Sequence, residues 1–390
     1  MKISSALILL SSTIIFAQNI KKAGKVIDSE TNLPLPFVSI YFEENLNSNN
    51  TGSISNENGE FSIDTQNVKK IIFSHINYEL NTVDVNADFS IIKLVPKTLV
   101  LDEIIVSNES PQNYIKKIIS NSESRIEKNT LLKSFCRETV LINNEITKFS
   151  DALIDYYVKK GNGKSNVVLQ QHRAFSKSKN TDEDESKLET LNSVFDVKNY
   201  VKDSYDFDAV KSLLKSDDYE FERKIKKDNK GVEYEYVAII PNSNSTELLN
   251  TGYIVIDPQT KSIAEFKIYT SQNHLKNAKL INILIAKVRL NKMMNWSKFK
   301  TIDSNYVLMF NKKELDIYIK MGKKIDHSFA FKNDLFVYEF KNNLEIPDSN
   351  YSKKTIFQAG TKYSSNYWND YNVFPMNQAE KDFILANQIK

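Results

Sequence analysis

Short stretches of alternating apolar and polar residues, separated by turn-forming residues, fill the chain between positions 20 and 107 and predict β-strands. Asn58 and Gly59 predict a tight hairpin turn, because glycine tolerates the positive φ that such a turn requires. The predicted strands lie near residues 25–27, 37–41, 60–63, 70–74, 82–85 and 91–94, and a further short strand is expected after Gly52. Seven short strands predict a small β-sandwich over residues 20–107.

A longer segment, residues 108–390, predicts a second domain of the α+β type. Ser110 and Pro111 fit the start of a helix, and further strands are predicted near residues 135–141, 149–158, 219–225, 232–238, 252–256, 263–269, 283–290, 306–310, 315–319, 327–331 and 335–340. Consecutive hairpins predict one large antiparallel sheet, curved around its apolar face. The fold class is therefore mainly β, with a seven-stranded sandwich before the larger sheet.

Two helices and a loop complete the larger domain. Residues 176–193 are polar and charged and predict a mobile surface loop. A short helix is expected with Asp206 or Asp208 near its start, and Asn377 with Glu380 predicts the N-terminal cap of a last helix.

The first seventeen residues have the order of features that defines a secretory signal peptide. Lys2 is followed by an apolar run, and Ala17 supplies a small residue before the expected cut at Gln18. The apolar run is too short for a membrane span, so no transmembrane segment is expected in the mature chain. The protein is expected to be exported, either to the periplasm or to the outer-membrane-associated cell surface.

A family resemblance lies in the first domain, carried by residues 24–28, Thr31, 34–40, 51–52, 56–63 and 73–78. In order and spacing these residues are similar to the carboxypeptidase-regulatory-like domain, with Asn77 where the family usually has glycine. The resemblance implies a transthyretin-like β-sandwich without an active site of its own. Residues 101–106 resemble the segment that follows this domain in surface proteins of Bacteroidetes-type bacteria.

The remainder resembles an uncharacterised domain that often follows this module, through residues 135–139 and 150–152. The same module precedes the plug of TonB-dependent outer-membrane receptors. The remaining length is far too short for their barrel, so the chain is expected to be at most an accessory partner of such a receptor.

Charge and motif content narrow the function further. A net charge of +3 with scattered lysines argues against nucleic-acid binding. The four histidines are not spaced as zinc ligands, and no nucleophile elbow or phosphate-binding glycine loop occurs, so no catalytic residue, metal or cofactor is expected. Cys136 is expected to pack as a small hydrophobic residue.

Aromatic residues supply the one candidate recognition surface. Tyr219, Phe221, Tyr234 and Tyr236 alternate along two neighbouring predicted strands and could line a ligand or partner groove. The alternative is cross-strand packing, which more often explains such a stripe.

Three functions stay open at this point. The first is a non-enzymatic binding or structural envelope protein, whose partner is an outer-membrane or envelope protein or an apolar ligand on the larger sheet, by analogy with lipoprotein carriers. The second is a hydrolase of envelope polymers, since paired carboxylates need only meet in space. The third is an accessory role at a TonB-dependent receptor.

Overall fold

The computed structural model describes residues 21–42, 52–65, 68–75, 77–97, 103–104, 108–177, 196–227, 233–283, 286–302, 304–323, 325–361, 368 and 374–387. The fold is mainly β, with 52% of residues in strands and 16% in helices, which confirms the predicted class. The predicted loop at 176–193 falls outside these residues beyond Lys177, and so does the predicted signal segment.

A small β-sandwich forms the first part of the described chain. Its strands are β1 Lys21–Asp28, β2 Ser39–Phe42, β3 Ser53–Ile54, β4 Glu60–Asp64, β5 Lys70–Ser74, β6 Asn81–Asp84 and β7 Ile91–Leu94. One sheet has the order β4-β1-β7 and the other β3-β2-β5-β6. Eleven buried residues, including Phe61 and Phe73, form a core between the sheets. The seven predicted strands are confirmed.

Two glycines explain how the sandwich closes. Gly59 has a φ of +74° in the predicted hairpin turn, where glycine carries no steric penalty. A Cβ at Gly24 would lie 1.6 Å from the carbonyl oxygen of Phe89, so only glycine allows β1 to approach the segment before β7. The turn residues thus set the spacing of the strands.

The second part of the chain is built on one antiparallel sheet. Its strands are β8 Glu103–Ile104, β9 Thr130–Ile142, β10 Glu145–Val158, β11 Ser165–Ser176, β12 Tyr219–Lys227, β13 Glu233–Pro241, β14 Asn250–Ile256, β15 Ile263–Thr270, β16 Ile281–Ile283, β17 Ala286–Ile302, β18 Asn305–Met321 and β19 Ile325–Lys341. Eleven of them follow the order β11-β10-β9-β19-β18-β17-β15-β14-β13-β12-β8, and β16 pairs with β17. The predicted single antiparallel sheet is confirmed.

Several strands are longer than the sequence pattern predicts. Residues 306–310 and 315–319 belong to one strand, β18, and residues 327–331 and 335–340 belong to β19. Strand β11 and the second half of β17 were not predicted. Bulges explain part of the difference, because the register of β17 shifts between Leu290 and Lys292 and that of β19 between Val337 and Glu339. Each bulge changes which face the alternation serves.

Helices cover one face of the large sheet, which we call the apolar face. The α-helices are α1 Pro111–Ser124, α2 Tyr200–Tyr205, α3 Asp208–Leu213 and α4 Gln378–Asn387, and 3-10 helices span Val197–Asn199, Gln272–Asn277 and Ile356–Ala359. The buried residues of α1, α2 and α3 join those of the apolar face in the largest hydrophobic core. This face is therefore filled by the chain's own helices where the structure describes it.

The predicted helix caps lie where the sequence places them. Ser110 accepts a hydrogen bond from the backbone N–H of Asn113, with Pro111 at the first helical position. Asn377 and Glu380 exchange side-chain to backbone hydrogen bonds of 3.0 and 2.9 Å at the start of α4. These reciprocal contacts form the predicted capping box.

Candidate functional site

The opposite face of the large sheet receives the sandwich and the C-terminal segment, and we call it the docking face. Most of its side chains are polar, charged or aromatic, yet many of them are buried. A single row of directly paired residues crosses eight strands here, in the order Arg173, Asp151, Arg137, Asp334, Lys312, Trp296, Lys267 and Tyr253. A sheet face with this composition is normally exposed to water. Because it is buried here, it is the surface on which the parts of the chain are joined.

Five members of this row alternate in charge, and we call them the charge ladder: Arg173, Asp151, Arg137, Asp334 and Lys312. The Nε atom of Arg137 lies 2.8 Å from Oδ1 of Asp151. Arg173 NH2 lies 2.7 Å from Oδ2 of Asp151, and Lys312 Nζ lies 3.0 Å from Oδ1 of Asp334. Alternation places an opposite charge beside each buried ion, which is the condition under which buried charges are tolerated.

Both ends of the described chain complete the ladder. Glu57, in the hairpin turn of the sandwich, forms an ion pair with Lys312 at 3.0 Å. In α4, the carboxylate of Glu380 lies 3.2 Å from Nη1 of Arg137, and the carbonyl oxygens of Phe374 and Pro375 also accept hydrogen bonds from Arg137. The sandwich and the C-terminal segment are therefore held on the same face by the same network.

Ion pairing favours the charged forms of Lys312 and Glu57, whereas burial outweighs pairing at Asp334 and raises its pKa. Burial lowers the pKa of Lys312, but the carboxylates of Asp334 and Glu57 outweigh burial and raise it above its ordinary value. Burial raises the pKa of Glu57, and Lys312 then brings it below its ordinary value. Each partner stays ionised because the other is close.

An aromatic anchor lies beside the ladder. Phe37 of the sandwich packs against Trp296, Phe310 and Phe374, with ring centroids 5.3, 5.2 and 6.4 Å away. Its backbone has a φ of 58°, and its carbonyl oxygen accepts a 2.9 Å hydrogen bond from Lys298 Nζ. Phe37 thus leaves the core of its own domain and belongs to the cluster on the docking face.

The four aromatic residues predicted as a recognition surface do not share one face. Tyr219 and Phe221 are buried in the core of the apolar face, with 8% and 7% of their surfaces exposed. Tyr236 lies on the docking face, where its ring stacks on Tyr253 at 5.3 Å. The side chain of Tyr234 lies outside the described residues. The register pairs Phe221 with Ile239 and Tyr236 with Lys224, and this pairing separates the two groups.

Glu138 is a buried acidic side chain with a raised pKa, which makes it a candidate for a chemical role. It lies on β9, where Tyr200 donates to one carboxylate oxygen and the backbone N–H of Ile356 to the other, both at 2.8 Å. Burial raises its pKa to about 7, although these donors oppose the shift. A surface pocket with about 370 Å³ of empty volume, part of it open to solvent, adjoins it, lined by Glu138, Thr139, Val140, Lys148, Ser150, Phe331, Lys332, Thr355 and Phe357.

We expect Glu138 to make the stability of the fold depend on pH. Because its pKa is raised to about 7 in the folded protein, its contribution is fully present below its ordinary pKa and is lost as the pH rises through 7. The loss is expected to reach about 3 kcal/mol. Unfolding by denaturant between pH 4.5 and 8 measures it, and Glu138→Gln is expected to flatten the profile, whereas Glu220→Gln at an exposed position is expected to leave it unchanged. A variant profile as steep as that of the wild type would contradict the assignment.

Two of the histidines and the cysteine make contacts that hold them within the fold. His172 bonds the carbonyl oxygen of Gly360 at 2.8 Å, and His274 bonds the side chain of Ser271 at 2.9 Å. Cys136 is fully buried beside Tyr156, and burial raises its pKa, which confirms the predicted packing role. Within the described residues, no three His, Cys, Asp or Glu side chains come together as a metal site.

The class defined by this architecture is a mainly β protein in which a small β-sandwich docks on one face of a large antiparallel sheet. Residues 22–106 match the family model of the CarboxypepD_reg-like domain, so the sandwich is a carboxypeptidase-regulatory-like domain. No curated protein sequence matches the chain. In the described part of the chain, no helix has both the length and the apolar character needed to cross a membrane.

Among solved structures, the chain is similar to one described as lipid-protein interactions in lipovitellin. The identity is 9% and the TM-score 0.29, over 62% of this chain and 28% of the other. The chain thus spans less than a third of the length of that structure.

The residues of the docking face were missed by sequence reasoning. Lys312 and Asp334 lie between predicted strands, where the pattern places exposed turns, and nothing in the predicted strand at 135–141 indicates that Arg137 is buried. Spacing along the chain gives no signal, because the register of distant strands brings these residues together. The turn at Glu57 was predicted, but its partner Lys312 lies 255 positions further along the sequence, so the contact between them was not.

Proposed function

We propose that the chain is an exported, non-enzymatic binding or structural protein of the cell envelope, in which the carboxypeptidase-regulatory-like domain is a fixed docking element on the large sheet. The observation that carries the proposal is the buried charge ladder. Its charged groups are held in ion pairs among themselves and with Glu57 and Glu380. Groups held in this way position domains and are not available to a substrate.

The aromatic anchor supports the same role. A domain that only tethers would keep its large apolar residues in its own core, whereas Phe37 enters the cluster with Trp296 and Phe310. Aromatic residues buried against a partner commonly dominate the energy of an interface. The sandwich therefore acts in this proposal as a rigid part of the molecule.

The alternative of a hydrolase of envelope polymers draws less support from the geometry. A glycosidase uses two carboxyl groups that face each other across the scissile bond. The nine residues that line the pocket beside Glu138 include one carboxylate, and that carboxylate accepts hydrogen bonds from Tyr200 and Ile356. Through these hydrogen bonds Glu138 links β9 to α2 and to the 3-10 helix at Ile356–Ala359, which is how a residue that stabilises the fold is held.

Incubation with envelope polymers separates these functions. The purified chain without residues 1–17 is mixed with peptidoglycan or with outer-membrane polysaccharide, and both sedimentation with the polymer and release of soluble fragments are measured. Binding without fragments agrees with the proposal. Release of fragments that disappears in Glu138→Gln would establish the hydrolase instead.

Export has its own expected result. When the full chain is produced in a bacterial host, the envelope fraction is expected to contain a form that begins at Gln18. N-terminal sequencing of that fraction measures the cut, and a variant with Leu9→Asp and Leu10→Asp in the apolar run is the control, because it is expected to stay unprocessed in the cytoplasm. Processing of both forms, or of neither, would contradict the proposed export.

A further inference from the structure

Strand β16 and the start of β17 form an aliphatic hairpin at the edge of the large sheet, where β17 also pairs with β18. Leu280, Ile281 and Ile283 expose 45%, 54% and 48% of their surfaces. Among the described strands, β16 pairs with β17 alone. Three aliphatic residues within four positions at such exposure form a local apolar surface, which is the kind of feature that marks an interaction site.

The hairpin is amphipathic. Ile281 is paired with Val288 and Ile283 with Ala286, so these four side chains lie on one face. Asn282 is paired with Lys287 on the other face. The apolar side continues the apolar face of the sheet, because Val288 is paired with the buried Ile319.

The charge around the hairpin has one sign. Residues 266–302 contain eight lysines and arginines and no aspartate or glutamate. Lys276, Lys287 and Lys323 are exposed and form no ion pair among the described residues. Lys287 is directly opposite Lys320 in the register, and like charges in that position repel each other.

Acidic groups only partly balance these cations. Lys279 pairs with Glu247, Lys292 with Glu314 and Lys320 with Asp326. The remaining charge on Lys276, Lys287, Arg289 and Lys323 stays positive. A partner with many negative charges and an apolar interior would complement both features at once.

We propose that the β16–β17 hairpin docks on an anionic phospholipid bilayer surface. Leu280, Ile281 and Ile283 enter the boundary between headgroups and acyl chains, and Lys287 and Lys323 lie at the level of the phosphates. Amphipathic elements with aliphatic residues on one side and lysines on the other bind membranes in this way. A nucleic acid would meet the cations but leave the aliphatic side chains without a partner.

This inference goes beyond the proposed function, since it names a lipid surface as a partner, and it uses that function only because an envelope protein has a membrane within reach. The two can fail separately. If the chain is processed and found in the envelope but does not bind vesicles, the docking inference is wrong and the proposed location stands.

Vesicle sedimentation tests the inference. The chain without residues 1–17 is mixed with vesicles of phosphatidylcholine and phosphatidylglycerol, or of phosphatidylcholine alone, at several salt concentrations. Binding is expected to the anionic vesicles and to weaken as salt is added, because surface charges are screened. Equal binding to both vesicle types, or no binding to either, would overturn the proposal.

Paired variants locate the surface. Ile281→Asn with Ile283→Asn is expected to weaken binding by at least about tenfold, since two apolar side chains no longer leave water. Lys287→Gln with Lys323→Gln is expected to weaken it by about fivefold per lysine. The matched controls are Ile91→Asn, at a residue 57% exposed on the sandwich, and the exposed Lys164→Gln. Controls that weaken binding as much as the hairpin variants would contradict the site.

A second copy of the chain is the competing occupant. Molar mass is therefore measured by light scattering for the wild type and for the isoleucine variant. A monomer in both cases agrees with lipid docking. A dimer that dissociates in Ile281→Asn with Ile283→Asn would show that the hairpin is a protein interface and would overturn the proposal.

Discussion

Replacing Asp151 with asparagine is expected to lower the free energy of unfolding by about 4 kcal/mol, because the change leaves two buried cations without their shared anion. Asp151 is fully buried and accepts hydrogen bonds from Arg137 at 2.8 Å and from Arg173 at 2.7 Å. Asparagine keeps the shape of the side chain but removes its charge and replaces one acceptor with a donor. The loss therefore comes from electrostatics and hydrogen bonding rather than from a cavity.

Denaturant unfolding monitored by circular dichroism measures this loss. The matched control is Asp217→Asn, at an exposed position, which is expected to change the free energy by less than about 0.5 kcal/mol. A loss below about 1 kcal/mol for Asp151→Asn would mean that the ladder is solvated, since exposed ion pairs contribute no more than that.

The second large effect is expected at Phe37. Phe37→Ala removes the ring that contacts Trp296, Phe310 and Phe374, and the cost of such a truncation is about 3 to 5 kcal/mol. Because Phe37 belongs to the docking-face cluster and not to the core of the sandwich, the variant is expected to release the sandwich from the sheet while both parts stay folded.

Tryptophan fluorescence reports the release. Both tryptophans, Trp296 and Trp368, belong to the cluster that contains Phe37, so emission is expected to shift to longer wavelength in the native state. Thermal unfolding is expected to change from one transition to two. The comparison is Phe73→Ala, which removes a ring from the core of the sandwich itself and is expected to unfold that domain without a separate native-state shift. Two indistinguishable variants would contradict a docking role for Phe37.

The sandwich was predictable because its determinants are local. Each strand is short, and each turn carries residues that restrict the backbone, as at Asn58 and Gly59. The same local rules placed the capping box at Asn377 and Glu380. Residues close in sequence determined these features, so a single sequence contained the necessary information.

The docking face could not be predicted for the opposite reason. Alternation in a strand separates two faces but does not say which face a second domain covers. The burial of Arg137 depends on Asp151, Asp334 and Glu380, which come from three other elements. Tyr219 and Phe221 failed to join Tyr236 because the register of β12 and β13 decides which side chains share a face.

The same lack of a register signal explains the missed strand lengths. The bulge between Leu290 and Lys292 interrupts alternation in β17, and the second half of the strand then mixes Trp296 and Phe299 with lysines. A reader of the sequence sees an irregular segment, whereas in the fold both faces of this strand are covered by other parts of the chain.

One pairing in the sheet has a consequence for how the molecule assembles. Strand β9 lies between β10, its immediate neighbour along the chain, and β19, whose Asn333 donates a hydrogen bond to the carbonyl oxygen of Arg137 from 196 positions away. Contacts between residues so far apart in sequence form slowly, because closing the large loop between them costs conformational entropy before the contacts stabilise the fold. The pairing of β9 with β19 therefore forms only after β19 has been synthesised. On the proposed export route, translocation would begin before β9 and β19 can pair, and the sheet would be completed after export.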